Sequence, residues 1–176
     1  LPIFAAATPD YVTKALGAFW RPQLEVYQDG TLKPADAMTF AGVKPGMVVA
    51  DVFPEGGYWS RILSGIVADK GFVYMVVPMG QGGARVATSS GPVIRDVNQN
   101  IALNRVQRAL GVMDQPEFKN TEVIWTDISS SFPLPKQVDV VFNAGGYSKM
   151  KTEPELTYLD QTKVAASIFR SEEHTS

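Results

Sequence analysis

Apolar positions along the chain repeat in two different rhythms. Between Met47 and Phe53 the residues read MVVADVF, and from Phe72 to Pro78 they read FVYMVVP. Continuous apolar runs of this length predict strands buried on both faces. TEVIWTDI (121–128) and VDVVFNAG (138–145) predict a third and a fourth strand. Between the first two, YWSRILSGIVAD sets Trp59, Ile62, Leu63, Ile66 and Val67 on one helical face, and Lys70-Gly71 ends it. NQNIALNRVQRALG spaces Ile101, Val106, Ala109 and Leu110 as a helix that stops at Gly111. EPELTYLDQTKVAASIF predicts a last helix with Leu156, Leu159, Val164 and Ile168 inward and Pro154 in its first turn. Ahead of the first strand, Val12, Leu16 and Phe19, then Ala37, Met38 and Phe40, predict two helices broken around Arg21 to Pro34. The Gly- and Ser-rich stretch from Met79 to Pro92 reads as an irregular loop, either a flexible lid or a solvated insertion.

Strands alternating with helices imply a parallel sheet with crossover connections. Ligands of such sheets sit outside the carboxyl ends of the strands, where strand order reverses. Asp51 to Tyr58, Val77 to Met79, Asp127 to Ser129 and Asn143 to Tyr147 all fall at those ends, so four loops converge on one crevice.

Composition narrows what the crevice can do. The 176 residues, 45% of them hydrophobic, suffice for one domain with a core. A formal net charge of -2 gives no basic field for nucleic acid, and no apolar run is long enough to span a membrane. With no Cys and one His, His174, thiolate chemistry and a Cys-ligated metal are excluded, and no metal site is expected. The N-terminal LPIFAAATPD resembles the end of a secretory signal, which predicts an exported or periplasmic protein, the alternative being a cytoplasmic one with a short apolar arm. The C-terminal RSEEHTS resembles the translated read-through of a sequencing adapter. The expected divisions are a signal remnant (1–7), a helical segment (8–40), the α/β domain (41–169) and a non-native tail (170–176).

The loop after the first strand, DVFPEGGYWSR, carries the candidate chemistry. Aligning D-x-G-x-G-x-G on Asp51 puts Phe53 and Glu55 in the first two glycine positions and Gly57 in the third. A dinucleotide would call for a carboxylate at the end of the second strand, where Val77 stands, and Glu55 would repel its pyrophosphate. A phosphate-free adenosine cofactor tolerates both features better.

LKPADAMTFAGVKPGMVVADVFPEGGYWSRILSGIVADKGFVYMVVP, with the later WTDISSSFPLPKQVDVVF, resembles a bacterial family of predicted class I S-adenosylmethionine-dependent methyltransferases over roughly residues 32–169. Such members read D-x-apolar-P-G-G-G-Y-apolar-T-R at this loop, so Phe53 and Pro54 conform and Glu55 replaces a glycine. The resemblance implies a Rossmann-like parallel sheet with helices on both faces. It also implies that the chain holds only the first four strands of the complete sheet, leaving the fourth as an apolar edge prone to self-association.

S-adenosylmethionine is the implied cofactor. Asp51, Glu55, Gly56, Gly57 and Tyr58 would surround its methionine and ribose parts, Val77 marks the vacant ribose-acid position, and Asp127 with Ile128 would meet the adenine. Alternative roles are a turn cap for Asp127 and core packing for Tyr58 and Trp59. The family's polar N-Y-H-like signature after the fourth strand is here NAGGYSK, leaving Tyr147 and Asn143 as substrate-side candidates and the methyl acceptor unspecified. Methyl transfer asks mainly for in-line positioning of nucleophile and methyl group, so lack of His and Cys does not oppose it. The competing expectation is an exported, non-catalytic binding or structural domain on a degenerate methyltransferase fold.

Overall fold

The computed structural model describes residues 7–78, 97–128, 134–152 and 161–173. The proposed signal remnant, the loop from Met79 to Pro92 and His174 fall wholly or mostly outside them. Helices α1 (Asp10–Leu16), α2 (Gln23–Leu32) and α3 (Pro34–Ala41) precede β1 (Val48–Val52), α4 (Tyr58–Val67) and β2 (Phe72–Pro78). Then come α5 (Val97–Met113), β3 (Thr121–Thr126), β4 (Val140–Phe142), α6 (Gly146–Thr152) and α7 (Gln161–Glu173).

The four strands form one parallel sheet in the order β3-β2-β1-β4. From β1 the chain steps outward through β2 to β3, then returns to β1's other side as β4. Strand order therefore reverses between β1 and β4.

Alternation along β1 and β2 divides the core in two. Val49, Val73, Met75 and Val77 pack under α1, α3, α4 and α5, while Ala50, Val52, Tyr74 and Val76 face Met150 of α6 and Val164 of α7. Helices thus cover both faces, the Rossmann-like α/β arrangement that the sequence predicts. Ile62, Leu63, Ile66 and Val67 of α4 are buried. Burying each such side chain contributes about 1.5–3 kcal/mol, enough to hold a helix of ten residues that would be marginal alone.

Several expectations need correction. The supposed break from Arg21 to Pro34 contains α2, which buries no residue of its own. Polar contacts hold it instead: Arg21 makes two hydrogen bonds to Asp29 (2.8 and 2.7 Å), and Arg61 of α4 pairs with Glu25. Phe19 and Phe40, counted in the apolar spacing of the two helices, are each 94% exposed. Helix α5 runs past Gly111 to Met113, because one glycine costs a helix only about 1 kcal/mol. Strand β4 has three residues rather than eight, and α6 follows it without a sequence signal. Val12 and Ala15 of α1 and Met38 of α3 belong to the α4 side of the core.

Candidate functional site

The reversal point brings together the β1–α4 loop and the segment joining β4 to α6. In the first, Phe53 (φ 64°), Glu55 (φ 52°) and Gly57 (φ 87°) all adopt left-handed backbone. These are the three glycine positions of the D-x-G-x-G-x-G alignment, so the loop adopts left-handed backbone at all three although two of them carry side chains. Each side chain there costs roughly 1 to 2 kcal/mol. Phe53, which conforms to the pattern of the resemblance, therefore sits at as strained a backbone as Glu55.

Each replacement has a partner across the crevice. A Cβ on Gly146 would lie 2.2 Å from Phe53 Cδ2, so the buried Phe53 ring rests directly on the α6 backbone. Glu55 meets Lys149 of α6 at 2.9 Å and Arg108 of α5 at 3.8 Å. Its carboxylate faces a cation at each oxygen.

Gly57 is closed off on its other side, where an added Cβ would come 2.3 Å from Val112 Cγ2. Gly56 and Gly145 are open, with nothing within 4 Å of where a Cβ would stand.

Asp51 lies at 1% exposure beneath the loop and accepts a 2.6 Å hydrogen bond from Ser60 Oγ. Burial, reinforced by the charge of Glu55, pushes its pKa up to about 7 despite the opposing hydrogen bond. A carboxyl poised there can hold or release a proton near neutrality.

The remaining candidates are more committed. The Tyr58 hydroxyl donates to Asp29 Oδ1 at 2.6 Å, and burial with the Asp29 contact raises its pKa. The Arg61 guanidinium bridges Glu25 and the Gly56 carbonyl, the latter at 2.9 Å, tying α2 to the loop. Desolvation raises the Glu25 carboxyl, Arg61 opposing it. Asn143 accepts the Gly146 backbone N–H at 2.8 Å and so caps α6. Tyr147 is the second residue of α6. Val77 is buried in the core, and Asp127 is half-buried just past β3. Ile128 is buried, its carbonyl receiving the Ser167 hydroxyl of α7.

Sequence reasoning missed Lys149, Arg108 and Ser60. The spacing of Ser60 from Asp51, nine residues and one loop away, was the only signal available for any of them.

A second concavity, about 780 Å³, opens at the other end of the sheet, beside Pro45, Phe72 and Asn120 at the amino ends of β1, β2 and β3. It is remote from the reversal point, and Asn120 there serves the fold by bonding Ser64 and the Ala68 carbonyl. Among the described residues, no His, Cys, Asp or Glu cluster could hold a metal ion, and no helix is long and apolar enough to cross a membrane.

No protein-family model and no curated protein matches the sequence. Solved structures similar in fold include an S-adenosylmethionine-dependent methyltransferase from Aquifex aeolicus, at 23% identity and TM-score 0.49 over 78% of this chain and 60% of that one. A protein-L-isoaspartate O-methyltransferase is similar at 22% identity and TM-score 0.44, over 77% of this chain and 43% of that one. A cyclopropane-fatty-acyl-phospholipid synthase-like protein from Lactobacillus casei ATCC 334 is similar at 17% identity and TM-score 0.43, over 85% and 53%. The chain thus spans between 43% and 60% of these three structures, and the similarity is one of fold.

Proposed function

We propose that this chain is a methyltransferase domain that binds S-adenosylmethionine at the β1/β4 reversal and acts on a substrate yet to be identified. The observation that carries this reading is the left-handed backbone at residues 53, 55 and 57. A loop that keeps so costly a conformation without the glycines that ease it points to a constraint beyond chain reversal.

The donor set suits the ligand at its amino-acid end. Gly56 leaves open space beside the loop, and Lys149 and Arg108 stand within reach of a carboxylate. Asp127 and Ile128 would border the adenine, and Val77 offers the ribose no acid. When bound, the cofactor supplies an electrophilic methyl group on a sulfonium. The chain's contribution is to hold the acceptor in line with it, through the substrate-side candidates Tyr147 and Asn143. Asp51 would hold a proton beneath the loop without touching the acceptor.

The second reading, an exported binding or structural domain on a degenerate fold, draws on a specific feature. The Phe53 ring and the Glu55 ion pairs occupy the crevice with the chain's own groups. Calorimetric titration of S-adenosylhomocysteine into the wild type and Glu55→Gly separates the two. Saturable heat in either protein supports the methyltransferase reading, strongest if Glu55→Gly binds tighter. Absence of heat in both favours the binding domain. Either way β4 is a sheet edge among the described residues, and we infer that it promotes self-association.

A further inference from the structure

We propose that Lys149 and Arg108 form an anion site for a small organic carboxylate of the α-amino-acid type, and that Glu55 fills it from within the chain when no ligand is bound. The choice of ligand rests on the methyltransferase reading. The site itself rests on geometry.

Three elements that share no local sequence converge here. Lys149 comes from α6 on one face of the sheet, Arg108 from α5 on the other, and Glu55 from the loop between them. They meet at the carboxyl edge beside the strand reversal, where sheets of this topology hold ligands. Each carboxylate oxygen takes a different cation, Oε1 facing Lys149 and Oε2 facing Arg108. A free carboxylate would divide its oxygens in the same way.

Glu55 is an imperfect occupant. It sits at φ 52°, where a Cβ is strained, and Oε1 meets the ammonium at 2.9 Å without hydrogen-bond alignment. The Arg108 contact is longer still, and the Arg108 side chain is 54% exposed, so a solute can reach it. Open space at Gly56 and Gly145 flanks the pair. A phosphate is the poorer fit, because it would also seek the backbone amides at the α4 N-terminus, where Val112 packs against Gly57.

An internal carboxylate competes at an effective concentration in the millimolar range or above. The apparent affinity for an external one then falls by the fraction of time the site is free. If Glu55 occupies the site nine-tenths of the time, removing its charge tightens external binding about tenfold.

The test titrates L-methionine into the full chain and follows the backbone amide resonances of Gly56 and Gly145, which flank the pair, by NMR. Adenosine is titrated in parallel to report on the crevice itself. Glu55→Gln should bind L-methionine about tenfold more tightly than wild type, and adding Lys149→Met should abolish the gain. L-methioninol, which lacks the carboxylate, should show no difference between these proteins. Equal L-methionine affinity in wild type and Glu55→Gln overturns the proposal. A gain that survives Lys149→Met, or no L-methionine binding at all, overturns it too. Absent adenosine binding counts against the methyltransferase reading alone, because the methionine series still decides the anion site. Unchanged backbone amide spectra in each variant confirm that the fold is intact.

Discussion

Replacing Asp51 with Asn should make the protein more stable above neutral pH and leave it unchanged in acid. The carboxyl is buried, desolvation is the largest influence on it, and its pKa rises from 3.8 to about 7. For an acid with a raised folded-state pKa, the folded protein holds the proton while the unfolded chain has lost it. That imbalance spans the window from about pH 4 to about pH 7, and stability falls as pH rises through it. The shift is about 3 pH units at 1.36 kcal/mol each, which gives about 4 kcal/mol lost by pH 8. Asn cannot ionise, and its carbonyl can still accept the Ser60 hydroxyl that now donates to Asp51 Oδ2.

Urea unfolding of wild type and Asp51→Asn at half-unit steps from pH 4 to pH 8 measures this directly. Other titrating groups cancel in the difference between the two curves. That difference should be near zero at pH 4 and grow to about 4 kcal/mol in favour of Asn at pH 8. A difference that stays constant across the range would refute the argument, because Asp51 would then ionise alike in both states. Part of the shift comes from the charge of Glu55, so Glu55→Gln should move the wild-type transition toward lower pH.

Gly57→Ala should cost about 2–4 kcal/mol, since the new Cβ meets both left-handed backbone and Val112 Cγ2 at 2.3 Å, whereas Gly56→Ala should stay within about 0.5 kcal/mol; thermal melts of the pair check this. Gly146→Ala should cost about 1–3 kcal/mol through its clash with Phe53, and much of that should return in a Phe53→Ala background, as a double-mutant cycle would show. Asp29→Asn should free α2 without unfolding the sheet, raising amide exchange across residues 23–32 while β1 and β2 stay protected. The Arg21 hydrogen bond lowers the Asp29 pKa, so wild-type α2 should hold its protection above the usual carboxylate pKa and lose it as pH falls through the depressed one.

What the sequence made legible follows from where side chains are buried. Strands β1 and β2 are covered on both faces, which requires the unbroken apolar runs that identify them. The buried apolar residues Ile62, Leu63, Ile66 and Val67 of α4 likewise repeat at helical spacing. Helix α2 escapes notice because its inward contacts are Glu25 and Asp29, while Leu24 and Tyr27 stand exposed, so apolar periodicity points away from the core. Helix α6 escapes notice for another reason. Gly145-Gly146 reads as a turn, and the helix depends on the Asn143 cap and the seat of the Phe53 ring, both matters of tertiary position. At the site, the three positions of the glycine alignment have left-handed backbone, a feature that the side chains at Phe53 and Glu55 hide from the sequence. The cations beside Glu55 lie 53 and 94 residues along the chain, beyond any local pattern.

The loop and the segment after β4 therefore have to be read together. Gly146 taken alone looks like the loss of a polar side chain, and Phe53 alone looks like an apolar intrusion into a glycine turn. Packed against each other they explain one another, because a Phe53 ring at this strained backbone position leaves no room for any side chain at residue 146. Glu55 and Lys149 form a second such pair, in which the carboxylate that disturbs the loop is matched by an ammonium one turn into α6. Two such pairs, each spanning the β1/β4 reversal, bring the lips of the crevice into contact with each other.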